Sequence, residues 1–273
     1  MVALERAGIP VERYVAYEID KYAIKVSQKN YPQIEQMGDV TTADFTQYKS
    51  FDLLIGGSPC QDLCSCGSRM GLKGEKSRLF YEYLRALNEV KPKYFLLENN
   101  ASMSKENQNI ISDLLGVNPV MIDSIYFTPQ SRKRLYWSNF DVSTDYLSNK
   151  IKTIRDIVQP IKEKAEFNIS KQMFAKKRGT LAYKKAWANV RTLDSQLRCL
   201  TTAQTISNSG STNIKYDDNT YFKPTPIECE RGQTLPDNYT EGISNTQRYK
   251  CTGNGWTVDV IAYILKELKK EVS

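Results

Sequence analysis

Cys60 closes an apolar run, Leu53-Leu54-Ile55-Gly56-Gly57-Ser58-Pro59-Cys60-Gln61, and is the best-placed nucleophile in the chain. A second run, Lys91-Pro92-Lys93-Tyr94-Phe95-Leu96-Leu97-Glu98-Asn99-Asn100, delivers a carboxylate and an amide about forty residues on. The chain contains no histidine, which excludes Cys/His zinc sites and every His-based dyad. A thiol without an imidazole must be activated by a positive field or by backbone donors. Gln130-Ser131-Arg132-Lys133-Arg134 offers that field, and on an extended segment Arg132 and Arg134 project to one side.

Short Val/Ile/Leu-rich runs stopped by Gly and Pro read as buried parallel strands. Cys60 and Glu98 then sit at carboxyl ends, the edge where open α/β sheets bind ligands. Between the runs, Leu79, Phe80, Tyr83, Leu84 and Leu87 form one helical stripe with Ser77 as N-cap. Strand, helix and strand make a right-handed crossover, and if the strands are neighbours Cys60 and Glu98 face one cleft. Residues 61–77 are long for such a connection and carry Gly67, Gly71 and Gly74, which predicts a mobile loop.

Gly-x-Pro-Cys-Gln after one strand, Glu-Asn after the next and Gln-Ser-Arg-Lys-Arg later, in that order, resemble the DNA (cytosine-5)-methyltransferase family of bacterial or phage type. The resemblance covers nearly the whole chain. It implies an α/β, Rossmann-like, S-adenosylmethionine-dependent methyltransferase domain with a smaller target-recognition domain. The first comprises residues 1–150 completed by 240–273, and the second residues 151–239.

The reaction implied is methylation of cytosine carbon 5 in double-stranded DNA. Carbon 5 is a poor nucleophile until a thiolate adds at carbon 6, and Cys60 is that thiolate by resemblance. Glu98 takes the role of donor to ring nitrogen 3, and Arg132 and Arg134 hold the base oxygen and the flanking phosphate. A base inside a duplex is out of reach, so it must be flipped out and the loop after Cys60 closed over it. For the cofactor, the family pattern points to Glu18, Ile19, Asp39, Val40, Pro59 and Asn254, and no metal is implied. The family usually follows Glu-Asn with an apolar residue, where this chain has Asn100.

The remaining segments fit that plan. Residues 2–8 read as a helix ending at Gly8, whereas the family has a strand and a glycine-rich turn before it. The expectation is a start codon farther upstream or a companion chain that supplies the piece. Residues 11–18 read as a strand with Glu18 at its tip, where nucleotide-binding folds hold ribose hydroxyls, and Asp20 caps a helix towards Asn30. A helix over 106–115 ends at Gly116, and residues 121–127 and 134–140 read as strands. Gly253-Asn254-Gly255-Trp256 precedes a last helix striped by Val260, Ile261, Ile264, Leu265 and Leu268.

Net charge is +7, and residues 171–191 hold seven Lys/Arg with no Asp/Glu, so this one stretch matches the whole surplus. Phe174, Tyr183 and Trp187 lie among those charges, a pattern that suits a nucleic-acid backbone. Cys64 and Cys66 read as loop thiols. No apolar run approaches the ~18 residues of a membrane span and no signal-peptide pattern opens the chain, so a cytoplasmic protein is expected. A cognate restriction endonuclease is an expected partner. Two other readings stay open: a methylation-inert DNA-binding relative, and the same chemistry on a tRNA.

Overall fold

A computed structural model describes residues 1–58, 79–143, 145–207 and 210–272. Pro59, Cys60, Cys64, Cys66, Ser77 and the loop glycines 67, 71 and 74 lie outside the described residues.

The chain opens with α1 (Val2–Ala7), which stops at Gly8 with φ 69°, the left-handed conformation that glycine adopts without strain. β1 (Val15–Ala16) and β2 (Glu35–Gln36) pair in parallel on either side of α2 (Lys21–Asn30) in sequence. Asp20 caps α2 by accepting the Tyr22 amide at 2.9 Å. The strand expected over 11–18 is therefore two residues long. Its opening residues Glu12 and Arg13 face solvent, where Arg13 pairs with Glu35.

β3 (Leu53–Gly57), α3 (Leu79–Val90) and β4 (Tyr94–Asn100) form the strand, helix and strand that the apolar runs predict, with β3 and β4 parallel neighbours. α4 (Lys105–Leu115) ends at Gly116, φ 71°, and leads to β5 (Val120–Asp123) and β6 (Lys133–Ser138). The sheet order is β3-β4-β6-β5, with β6 antiparallel to both neighbours. β5 stops at Asp123 instead of running to 127 because that carboxylate accepts the amides of Ile125 and Arg132, at 3.2 and 2.8 Å.

Gly56 lies directly against the Tyr83 ring of α3, which an added Cβ would overlap. Gly56→Ala is expected to destabilise the fold by about 1–3 kcal/mol through overpacking. Thermal melting checks this, and an unchanged midpoint would mean that Tyr83 yields freely.

The smaller domain centres on a three-stranded sheet, β7 (Val190–Thr192), β8 (Asn213–Lys215) and β9 (Tyr221–Phe222). Around it lie α5 (Ser170–Phe174), α6 (Leu181–Ala188) and α7 (Pro226–Gly232). Its interior is partly polar. Lys164 and Glu228 are both fully buried and pair at 2.5 Å, with Lys164 over the rings of Tyr216 and Phe222. Glu228 also accepts the amides of Gln159 and Thr225, each at 2.9 Å, so the buried charge is hydrogen-bonded as well as paired.

α8 (Asn245–Asn254) and α9 (Val258–Val272) close the chain. The α9 stripe Val260, Ile261, Ile264, Leu265 and Leu268 is buried, as its spacing predicts, against Leu4 and Ala7 of α1. The architecture is a Rossmann-like α/β fold with a smaller additional domain. Among the described residues no helix is long and apolar enough to cross a membrane.

Candidate active site

Strand register places the acid. Gly57 on β3 pairs with Glu98 on β4, and Asn100 on β4 pairs with Arg134 on β6. Side chains two apart share a face, so Glu98 and Arg134 are diagonal neighbours on one side of the sheet. Arg134 Nε meets Glu98 Oε1 at 2.9 Å, with both side chains nearly buried. Glu98 Oε2 accepts the Trp256 indole N–H at 3.0 Å. Burial works against the Arg134 charge, but the Glu98 carboxylate and the Cys199 sulfur beside it leave its pKa raised overall.

Asn99, next to the acid, reaches back to β3. Its Nδ2 donates to Ser58 Oγ at 3.0 Å and to the Ser58 carbonyl at 3.3 Å. The backbone entering Pro59 and Cys60 is thereby tied to the strand that carries Glu98. Cys60 itself lies outside the described residues, as does Pro59. Asn100 turns the chain after β4, its carboxamide oxygen accepting the Ser102 amide at 3.0 Å, a job an apolar residue would not do.

Arg132 and Arg134 do project to one side: both donate to Cys199 Sγ, at 3.4 and 3.9 Å. Arg132, however, is buried and committed elsewhere. Its terminal nitrogens also donate to the carbonyls of Leu200 (3.1 Å), Gly253 (3.1 Å) and Gly255 (2.9 Å). Desolvation lowers its pKa. In this arrangement Arg132 is a clamp holding residue 200 to the turn after α8, and Arg134 is the arginine that faces the acid.

A cavity of about 410 Å³, within the size range of small-ligand pockets, is joined to the acid through Trp256, which lines it. Its lining includes the polar residues Glu18, Asp20, Lys250 and Asn254 and the apolar residues Met1, Leu4, Ile55, Ile261 and Leu265. Trp256 lines it as well, so the residue that holds Glu98 also faces this space. Glu18 Oε1 accepts the amides of Ile19 and Asp20, both at 2.8 Å. Lys250 pairs with Asp20 and holds its carboxyl below the usual range. Cys251, also on the wall, has its thiol pushed up to about 11 by burial.

Of the expected cofactor residues, Glu18 and Asn254 therefore meet at one cavity. Ile19, Asp39 and Val40 are not among its lining residues. Ile19 is exposed, and Asp39 accepts the Thr41 amide at 2.9 Å and the Thr41 hydroxyl at 2.8 Å as the cap of a short turn. These bonds hold the Asp39 carboxyl below the usual range. Sequence reasoning named Asn99 only as the amide after Glu98, without its bond to Ser58, and did not single out Lys250 or the Trp256 contact. For Trp256 a signal existed, since Gly57, the second of two glycines and three residues before Cys60, leaves room for an indole that a Cβ would approach to 3.1 Å.

In the basic stretch, Lys171, Lys177, Arg178, Lys184 and Lys185 are exposed, and among the described residues none of them pairs with a carboxylate. The aromatics interleaved with them pack on one another. Phe174, Tyr183 and Tyr221 surround Trp187, with ring centroids 6.1, 5.7 and 5.5 Å from it.

A family profile described as C-5 cytosine-specific DNA methylase matches residues 1–270. The chain is 28% identical to the type II methyltransferase M1.ScrFI of Lactococcus lactis subsp. cremoris, over 94% of this chain and 72% of that protein. It is 26% identical to the type II methyltransferase M.FnuDI of Fusobacterium nucleatum, over 100% of this chain and 91% of that protein. Among solved structures, the S. pombe Dnmt2 methyltransferase superposes with a TM-score of 0.77 at 20% identity, covering 100% of this chain and 95% of that one. At that identity the likeness speaks for the fold.

Proposed function

We propose, because this chain belongs to the C-5 cytosine-specific DNA methylase family, that it methylates carbon 5 of cytosine in double-stranded DNA, with Cys60 as nucleophile and Glu98 as proton donor to the ring. The observation that carries the reading is the Glu98–Arg134 pair, joined through Trp256 to the cavity that Glu18 and Asn254 line. The fold binds S-adenosylmethionine. The polar lining of the cavity fits that cofactor: the Glu18 carboxylate suits ribose hydroxyls, and Asn254 adds an amide. When bound, the cofactor supplies the methyl group.

The protein's own part in the reaction is positioning. Asn99 fixes the strand end that leads to Cys60, and Arg134 holds Glu98 towards the base. In this reading the Cys60 sulfur bonds to carbon 6 while Glu98 protonates nitrogen 3, and carbon 5 then takes the methyl. Nitrogen 3 then returns its proton to Glu98, carbon 5 loses its proton to solvent, and departure of the Cys60 thiolate restores the aromatic ring. Residues 151–239 act as the target-recognition domain, and the cytosine reaches the pocket by flipping out of the duplex.

The exposed lysines of 171–185 are the proposed backbone contact. Changing Lys177, Lys184 and Lys185 to glutamine is expected to reduce the salt slope of DNA binding by roughly 0.9 per lost phosphate contact. An unchanged slope would move the contact surface elsewhere.

Charge of this kind satisfies any phosphodiester chain, which keeps a tRNA cytosine as a second reading. Offering both polymers with a labelled methyl donor, then mapping the modified cytosines, separates the two. Methyl groups accepted only by tRNA would reverse the assignment. A third reading, a methylation-inert DNA-binding relative, is favoured by a break in the sheet. β1-β2 and β3-β4-β6-β5 are separate, and the cavity touches Tyr14 beside β1 and Ile55 on β3. Cofactor titration decides: DNA affinity without S-adenosylmethionine affinity would favour the inert reading. A cytoplasmic location and a cognate restriction endonuclease complete the proposal.

A further inference from the structure

We infer that Trp256 is a positioning residue for Glu98: its indole N–H fixes one oxygen of the carboxylate while Arg134 fixes the other. The inference rests on the reading of Glu98 as the group that protonates the ring. The two bonds, 3.0 Å from Trp256 Nε1 to Oε2 and 2.9 Å from Arg134 Nε to Oε1, give the carboxylate plane one orientation. An indole N–H only donates and does not titrate, so it holds the acid without supplying a competing proton acceptor. With these two bonds made, a further site on the carboxyl group remains for the proton that Glu98 gives to ring nitrogen 3.

Neighbouring residues keep Trp256 in place. A Cβ at Gly57 would lie 3.1 Å from the Trp256 ring and 3.3 Å from Glu98 Oε2, so the bare glycine makes room for both partners. The turn that carries Trp256 is held by Arg132 through the Gly253 and Gly255 carbonyls. Gly253 in turn sits so close to the Thr201 backbone that a side chain there would overlap it. Trp256 also packs against the core shared by α1 and α9, and a purely packing role would be met equally well by phenylalanine.

The test compares Trp256→Phe, which keeps the ring and removes the donor, with Glu98→Gln. Trp256→Phe is expected to lower kcat about tenfold, as befits one hydrogen bond to a charged acceptor, with KM for DNA and for S-adenosylmethionine within about twofold. Unchanged kcat would overturn the inference. The second readout is the indole ¹⁵N–¹H spectrum, which has one signal for each of Trp137, Trp187 and Trp256. In Glu98→Gln the Trp256 signal is expected to move while those of Trp137 and Trp187 stay, and an unmoved Trp256 signal would also overturn it. If Trp256→Phe fails to fold, the indole spectrum alone decides. A Glu98→Gln protein with unimpaired kcat but a shifted indole would instead sink the assignment of Glu98 while leaving the contact established.

Discussion

Replacing Cys60 by serine is expected to abolish methyl transfer while leaving DNA binding largely intact. Adding a nucleophile to carbon 6 requires the anion, and at neutral pH a thiol yields a useful fraction of thiolate where an alcohol yields almost none. The imidazole that most often deprotonates a serine is absent, since the chain has no histidine. Methyl incorporation and a DNA-binding titration on the same preparation measure the two effects, and activity within tenfold of the parent would remove Cys60 from its role. A 5-fluorocytosine target sharpens the test. Fluorine leaves no proton at carbon 5 to lose after methylation, so the sulfur bond persists and a covalent complex accumulates with Cys60 but not with serine.

Glu98→Gln is expected to slow methylation by roughly 10²–10⁴-fold, the usual span for losing a positioned proton donor, with little change in cofactor affinity. The substitution is nearly isosteric, so the pairing of β3 with β4 is kept while the proton to be given is lost, and the single amide oxygen can accept from only one of Trp256 and Arg134 in the present arrangement. Single-turnover rates set beside a cofactor titration separate the two quantities. Equal losses in both would mean that Glu98 shapes the pocket without entering the chemistry.

The strands and the acid were legible because they depend on local pattern. Leu53 to Ile55 and Phe95 to Leu97 are apolar runs with punctuation, and such runs form buried strands wherever they occur. The α9 stripe was legible for the same reason. Register was not: nothing local tells Asn100 to face Arg134, yet that pairing sets Glu98 and Arg134 on a diagonal. The fate of Arg132 was hidden too, since its acceptors at Leu200, Gly253 and Gly255 lie 68, 121 and 123 residues away. Residues 151–226 resisted periodicity analysis for a further reason. Their first part is built of three-residue turns, Ile154–Asp156, Ile161–Glu163 and Ala165–Phe167, too short to show a period, and their buried cation Lys164 finds its partner only beyond the stretch, at Glu228.

The Arg132 clamp bears on who does the work during catalysis. Four of its bonds, to Cys199, Leu200, Gly253 and Gly255, fasten the strand beside the acid to segments far along the chain. A pocket fastened in this way is preorganised, and the polymer must adapt to it. The cost of unstacking and unpairing the cytosine, about a few kcal/mol, then falls on the nucleic acid, which makes mismatched or frayed targets the more willing substrates.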